Sequence, residues 1–354
     1  MIANVLIKPG LIELRELETP SPSRGEILVR VMAALTCGTD LKAFKRGHPV
    51  IPMPGVFGHE FSGVVAKVGS GVRNFRVNDE IMAVHSAPCL ECRYCRKRLY
   101  NLCENIMLTK VLGAFSEYVL LPSHIVRQNV FLKPHNISFE EAAFLEPLSC
   151  VVHGMNSLGV KKGDRALVIG AGPIGLLHLL LLKLRGAQVT VADKHTSKLR
   201  VARELGSDYI HRVAGNKMPG HQQRIKSRLS DPKGDSGFIG FDYVFECTGI
   251  PEVWEESAGY VRRGGTVVLF GGCRSGASVT YDASRLHYDE ITLKGVFHFS
   301  PEDVRKAYEL LCGRNLNVSR LITGSYTMNH VSKAFVRLAK GRGIKFSFKP
   351  SGKS

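Results

Sequence analysis

The chain is 354 residues long, enough for about two domains with buried cores. Its 44% hydrophobic content and 36 glycines suit a globular enzyme and exclude a disordered, collagen-like or repeat protein. The net charge of +17 is spread over 42–46, 93–98, 194–203, 212–233 and 333–349, which favours a solvated basic surface over the clustered stripe of a nucleic-acid binder.

The N-terminus reads Met-Ile-Ala-Asn-Val, without the basic and apolar regions of a secretion signal. The longest apolar run, Ile174 to Leu184, is too short to span a bilayer. A cytoplasmic protein that does not enter a membrane is expected. Up to about residue 130 the pattern predicts short strands broken by Pro and Gly, among them Glu26 to Ala33, Phe61 to Val68 and Ala114 to Leu121. Between them lie Cys37-Gly38-Thr39-Asp40 and Gly58-His59-Glu60, in irregular segments of the kind that carry catalytic residues. Cys37 and His59 together suit zinc, and Glu60 or Glu146 would supply a third ligand, leaving one exchangeable position. Taken singly, the cysteine reads as a core thiol and the histidine as a surface imidazole.

Cys89, Cys92, Cys95 and Cys103 follow as C-x2-C-x2-C-x7-C. Four thiolates from one short loop can close a tetrahedral structural zinc site, the alternatives being an iron–sulfur site or coincidence. Ser138 and Glu141 form a capping box that predicts a helical stretch carrying Glu146.

From Arg165 the texture changes to β-α-β. A buried strand, Arg165 to Ile169, runs into Gly170-Ala171-Gly172-Pro173-Ile174-Gly175, an apolar helix, and a second strand from Gln188 to Ala192 closed by Asp193. Glycines at that turn admit a pyrophosphate to the helix N-terminus, and Asp193 stands where an acid would bind the adenosine ribose. This reads as a Rossmann dinucleotide site for NAD, with NADP kept open by Lys194, Lys198 and Arg200. Further strands are predicted at Phe241 to Glu246, Thr266 to Phe270 and Ile291 to Phe297. A helix opened by Ser300-Pro301 should stop at Gly313.

On these residues the whole chain resembles the zinc-containing medium-chain alcohol and polyol dehydrogenases. The run from Gly58 to Val72, G-H-E-x2-G-x5-G-x2-V, matches that family's zinc signature, and Glu146-Pro147-Leu148 resembles its sorbitol and threonine dehydrogenase branch. The resemblance implies an α/β fold: a Rossmann nucleotide-binding domain (150–297) inserted in a GroES-like, mainly β catalytic domain (1–149 and 298–354) with a structural zinc lobe at about 86–106. It further implies two zincs per chain. Cys37, His59 and either Glu60 or Glu146 would bind the catalytic one, and the four lobe cysteines the structural one. Thr39 would take the alcohol proton, and Ile174, Asp193 and Lys198 would contact the dinucleotide.

Two departures from the family are visible. Lys42 stands where many relatives have a relay histidine, which leaves another route, such as His48, for the proton. The connection from Cys103 to Gly113 is also short, which implies an altered or more open cleft. Lys42, Lys45, Arg46 and His48 invite an anionic sugar substrate, the other reading being a solvated basic turn. The expected activity is hydride transfer between a secondary alcohol of a polyol, sugar or sugar derivative and NAD(P). An L-threonine dehydrogenase activity is the second reading, and a non-catalytic nucleic-acid-binding relative the third. The family also implies a homodimer or homotetramer, with 280–293 as the candidate interface.

Overall fold

The computed structural model describes residues 1–213 and 239–350. The expected basic segment 212–233 falls almost entirely outside the described residues. Two compact units are present. One comprises Met1–Val152 with the chain from His298 onward, the other His153–Phe297. Among the described residues no helix is long and apolar enough to cross a membrane.

The first unit is built on antiparallel strands. Ile27–Leu35 lies centrally, flanked by Glu60–Val68 and Lys345–Lys349 and paired with Tyr118–Leu121 at one end. Its alternating apolar residues bury one face against a cluster of fully buried phenylalanines: Phe57, Phe61, Phe115, Phe335, Phe346 and Phe348. Phe115 meets Phe57, Phe335 and Phe348 edge-on at centroid distances of 4.9, 5.6 and 5.2 Å. Burial of each such ring contributes about 1.5–3 kcal/mol. Register then does the positioning. Leu35 pairs with Glu60 on one side and Ser347 on the other, which brings Thr36–Cys37, His59–Glu60 and Lys345 to one end of the sheet.

The second unit holds a six-stranded parallel sheet in the order Tyr209–Arg212, Gln188–Asp193, Arg165–Ile169, Phe241–Glu246, Val261–Leu269, Thr292–Gly295. The apolar helix Pro173–Leu184 is buried along most of its length, as its run of leucines requires. It carries one anomaly. His178 is fully buried against Phe245 and Phe270, and neither ring nitrogen has a hydrogen-bond partner among the described residues.

Burial lowers the His178 pKa from 6.5 to about 3. The unfolded chain therefore binds a proton that the folded unit refuses between those values. Stability from this residue is intact above pH 6.5 and falls by about 1.4 kcal/mol per pH unit below it. We expect the denaturation midpoint of wild type to drop between pH 7 and 5 more steeply than that of His178→Leu. Parallel pH dependences of the two proteins would contradict this.

Several expected elements differ in extent. The strand expected from Ala114 begins at Tyr118, because Gly113 and Ala114 both donate to the Gly58 carbonyl and Phe115 to that of Phe57. The capping box at Ser138 forms, but its helix is the single turn Phe139–Ala142. Glu146 belongs to a second helix, Leu145–Asn156. The strand expected from Thr266 starts at Val261, running through Gly264–Gly265, while the one expected from Ile291 shortens to Thr292–Gly295. The helix Pro301–Cys312 stops at Gly313 as its caps predict.

Candidate functional site

Cys37 ends the extended segment after Ile27–Leu35 and caps the helix Gly38–Arg46, its sulfur accepting from the Thr39 N–H at 3.4 Å. Asp40, in the first turn of that helix, is fully buried and lies 3.2 Å from His59 Nδ1. A carboxylate on one imidazole nitrogen orients the ring and leaves the other nitrogen as donor. Gly58 lets the chain turn into His59: its φ is +86°, and a Cβ there would sit 2.7 Å from the Phe115 ring.

The donor atoms of Cys37, His59 and Glu60 all lie within 4.8 Å of one another. Glu146 is near but outside that triangle. Its Oε1 lies 3.5 Å from His85 Nδ1 and accepts from the Cys150 thiol at 3.8 Å. Burial, reinforced by the Glu60 and Asp40 carboxylates against the opposing pull of His59 and Lys345, raises the Glu146 carboxyl to about 7.

The donor set fits a divalent cation on electrostatic grounds. Burial alone would lower His59, yet Asp40 and Cys37 overcome it and draw its pKa well above the usual value. Neither Asp40 oxygen is satisfied by a well-aligned hydrogen bond among the described residues. A buried cluster of carboxyl groups around a thiol and an imidazole is one that a cation completes.

Three groups at this end of the unit were not singled out from sequence. The His85 ring lies 4.9 Å from that of His59, tilted at 53°, and burial, then His59 and His298, hold its pKa well below the usual value. His298, at φ +62°, lies 2.7 Å from Ser86 Oγ through its Nε2 and 5.5 Å from His85 between ring centres. Lys345 pairs with Glu60 Oε2 at 2.5 Å.

Thr39 is half-buried. His48 is held below its usual pKa by burial, Lys42 and Arg46, and its field includes Asp40 and His59.

Cys89, Cys92, Cys95 and Cys103 also converge within 4.8 Å. Their sulfurs are 3.5 Å apart for Cys89–Cys103, 3.6 Å for Cys92–Cys95 and 4.0 Å for Cys89–Cys95. Tetrahedral zinc with bonds of about 2.3 Å requires sulfurs about 3.8 Å apart, so the cage has the right size. Backbone N–H groups of Cys89 and Cys92 point at Cys103 and Cys89 sulfurs, as thiolates need.

In the second unit the glycine turn joins the first strand to Pro173–Leu184, with Gly172 as N-cap. A Cβ on Gly175 would fall 1.8 Å from the Gly170 carbonyl oxygen, so only glycine permits this strand–helix approach. Asp193 ends the second strand, and its carboxylate is already engaged. Oδ2 accepts from Ala171 N–H at 2.8 Å, while Oδ1 accepts from His195 N–H at 2.7 Å and lies 2.9 Å from His195 Nδ1. Asp193 thus also ties the glycine turn to the neighbouring strand. Ile174 and Lys198, in the first turns of their helices, are half-buried.

Comparison with known proteins gives consistent results. Residues 23–130 match the family described as the alcohol dehydrogenase GroES-like domain, and residues 173–312 match the zinc-binding dehydrogenase family. Sorbitol dehydrogenase of Bos taurus is 32% identical over 348 residues, spanning 96% of this chain and 94% of the relative. D-arabinitol dehydrogenase 1 of Uromyces fabae is 30% identical over 97% and 95% of the two chains. Among solved structures, a protein described as a zinc-binding dehydrogenase from Sinorhizobium meliloti 1021, bound to NADP, superposes with a TM-score of 0.85. It is 29% identical and covers 99% of both chains.

Proposed function

The chain belongs to the zinc-containing medium-chain alcohol and polyol dehydrogenases, and on that basis we propose that it oxidises a secondary hydroxyl of an acyclic polyol, a sugar or a sugar derivative to the ketone, with NAD or NADP taking the hydride. The observation that carries this reading is the convergence of half-buried Cys37 with buried His59 and Glu60, with Asp40 behind the imidazole. The sugar-alcohol names of the relatives from Bos taurus and Uromyces fabae support the substrate class.

In this reading Cys37, His59 and Glu60 hold the catalytic zinc, and Glu146 stands beside it against His85. The lobe cysteines hold a second, structural zinc. The catalytic zinc, when bound, supplies Lewis acidity that lowers the pKa of an alcohol hydroxyl towards neutrality. Asp40 keeps His59 oriented. Thr39 accepts the hydroxyl proton and passes it towards solvent, with His48 taking the relay role that Lys42 cannot fill. The hydrogen on the same carbon leaves as hydride, so one alcohol and one oxidised dinucleotide give one ketone, one reduced dinucleotide and one proton. Gly170, Gly172, Pro173, Ile174, Gly175, Asp193 and Lys198 form the dinucleotide site.

Asp193 favours NAD by accepting ribose hydroxyls and repelling a 2′-phosphate. Asp193→Ser should lower kcat/KM for NAD and raise the ratio of NADP to NAD efficiency by about tenfold or more, a shift of about 1.4 kcal/mol. An unchanged ratio would exclude Asp193 from cofactor choice.

The substrate reading is tested by following reduced-nicotinamide formation with neutral polyols, their aldonates, sugar phosphates and L-threonine. Turnover of polyols supports it, and a preference for the charged forms that weakens with salt would add the anionic substrate suggested by Lys42, Lys45, Arg46 and His48. Turnover of L-threonine alone would replace it with the amino-acid reading. We also propose cytoplasmic residence and a homodimer or homotetramer. The edge strand Thr292–Gly295, hydrogen-bonded only to Val261–Leu269 among the described strands, and the exposed Tyr288 beside it support that assembly.

A further inference from the structure

We propose that Lys345 is a positioning residue for the catalytic metal, holding Glu60 in place as the carboxylate donor beside Cys37 and His59. This rests on the reading of those three residues as the metal ligands.

A lysine is rarely buried without a partner that requires it. Lys345 is fully buried, and its ammonium lies 2.5 Å from Glu60 Oε2 while donating to the Thr36 carbonyl at 2.7 Å. It also sits 5.5 Å from the Phe144 ring centre. Thr36 precedes Cys37, Glu60 is itself in the triangle, and Phe144 lies two residues before Glu146. One ammonium therefore contacts all three segments that bear candidate ligands. The strand carrying it is stitched in place by Phe346, whose N–H donates to Thr36 Oγ1 and whose carbonyl accepts from Thr36 N–H.

The arrangement limits what Glu60 can do. The ion pair ties one end of the Glu60 carboxylate to Lys345, which would hold it in orientation to serve as a metal ligand. Glu146 lies outside the ligand triangle.

The test measures metal affinity, with the cysteine lobe as an internal control for folding. Lys345→Met should keep the lobe zinc and dinucleotide binding while its affinity for the second zinc, read by chelator competition, falls by about 10–100-fold. Cobalt placed in the second site alone should give an altered visible spectrum in Lys345→Met and a near wild-type one in Lys345→Arg, whose side chain can still pair with Glu60. Wild-type affinity together with an unchanged cobalt spectrum in Lys345→Met would overturn the proposal.

Should Lys345→Met also lose the lobe zinc and dinucleotide binding, the comparison moves to Glu60→Gln and the double variant Lys345→Met/Glu60→Gln. Because Lys345 acts through Glu60, the second change should weaken metal binding no further in that background. An additional loss there would overturn the proposal as well. A wild-type protein that holds only the lobe zinc would instead refute the ligand reading on which the proposal stands.

Discussion

Cys37→Ser is expected to leave one zinc per chain where wild type holds two, and to lower kcat/KM by about 10³-fold or more. The Lewis acidity lost with the catalytic zinc is worth several kcal/mol of barrier, and each 1.36 kcal/mol is tenfold in rate. A serine hydroxyl is a poor substitute for a cysteine sulfur as a ligand to zinc. Glu146→Gln, outside the triangle of Cys37, His59 and Glu60, should keep both zincs. Loss of the second zinc from Glu146→Gln but not from Cys37→Ser would invert the assignment.

The second large effect concerns the lobe. Its apolar cluster comprises only Ile106 with the buried Cys95 and Cys103, joined by half-buried Tyr100, Met107, Cys89 and Cys92. Leu90, Leu99, Leu102 and Leu108 are exposed. Hydrophobic burial on that scale cannot hold 89–108 in place, and Leu90 and Arg98 must also adopt positive φ values of 66° and 60°. Metal binding to structural cysteine sites is worth about 10–16 kcal/mol in isolated fingers, so a zinc held by the four cysteines would supply most of the local folding energy. Cys103→Ala should lower the melting temperature by about 10 °C or more, since each 1 kcal/mol shifts it by about 2–4 °C in a unit of this size. It should also open 89–108 to proteolysis. A variant with wild-type melting and protease resistance would show that the lobe stands without its metal.

The sequence was informative where the signal is local. The strands Arg165–Ile169 and Phe241–Glu246 have the predicted limits, the first because its apolar run Ala166–Ile169 is closed at once by turn residues. The cysteine lobe is likewise contained in one loop, so spacing alone revealed it. Strand limits were missed where long-range hydrogen bonds override local pattern. Ala114 is drawn to the Gly58 carbonyl, and Val261–Leu269 runs on through a glycine pair that reads as a turn. The contacts made by Asp40, His85 and Lys345 were illegible for the same reason. Lys345 meets Thr36 across 309 residues through sheet register, and nothing near it in sequence marks a buried cation. Asp193 was found by its spacing, but its bonds to Ala171 and His195, which depend on the packing of two strands, were not.

The most direct test of the account follows zinc content and reduced-nicotinamide formation on one sample while the more weakly held zinc is stripped and then restored. Turnover of a polyol should disappear with the second zinc, while the lobe zinc and dinucleotide binding persist, and should return when the metal is replaced. Undiminished turnover by a protein holding zinc only at Cys89, Cys92, Cys95 and Cys103 would contradict the assignment of Cys37, His59 and Glu60 as the catalytic centre.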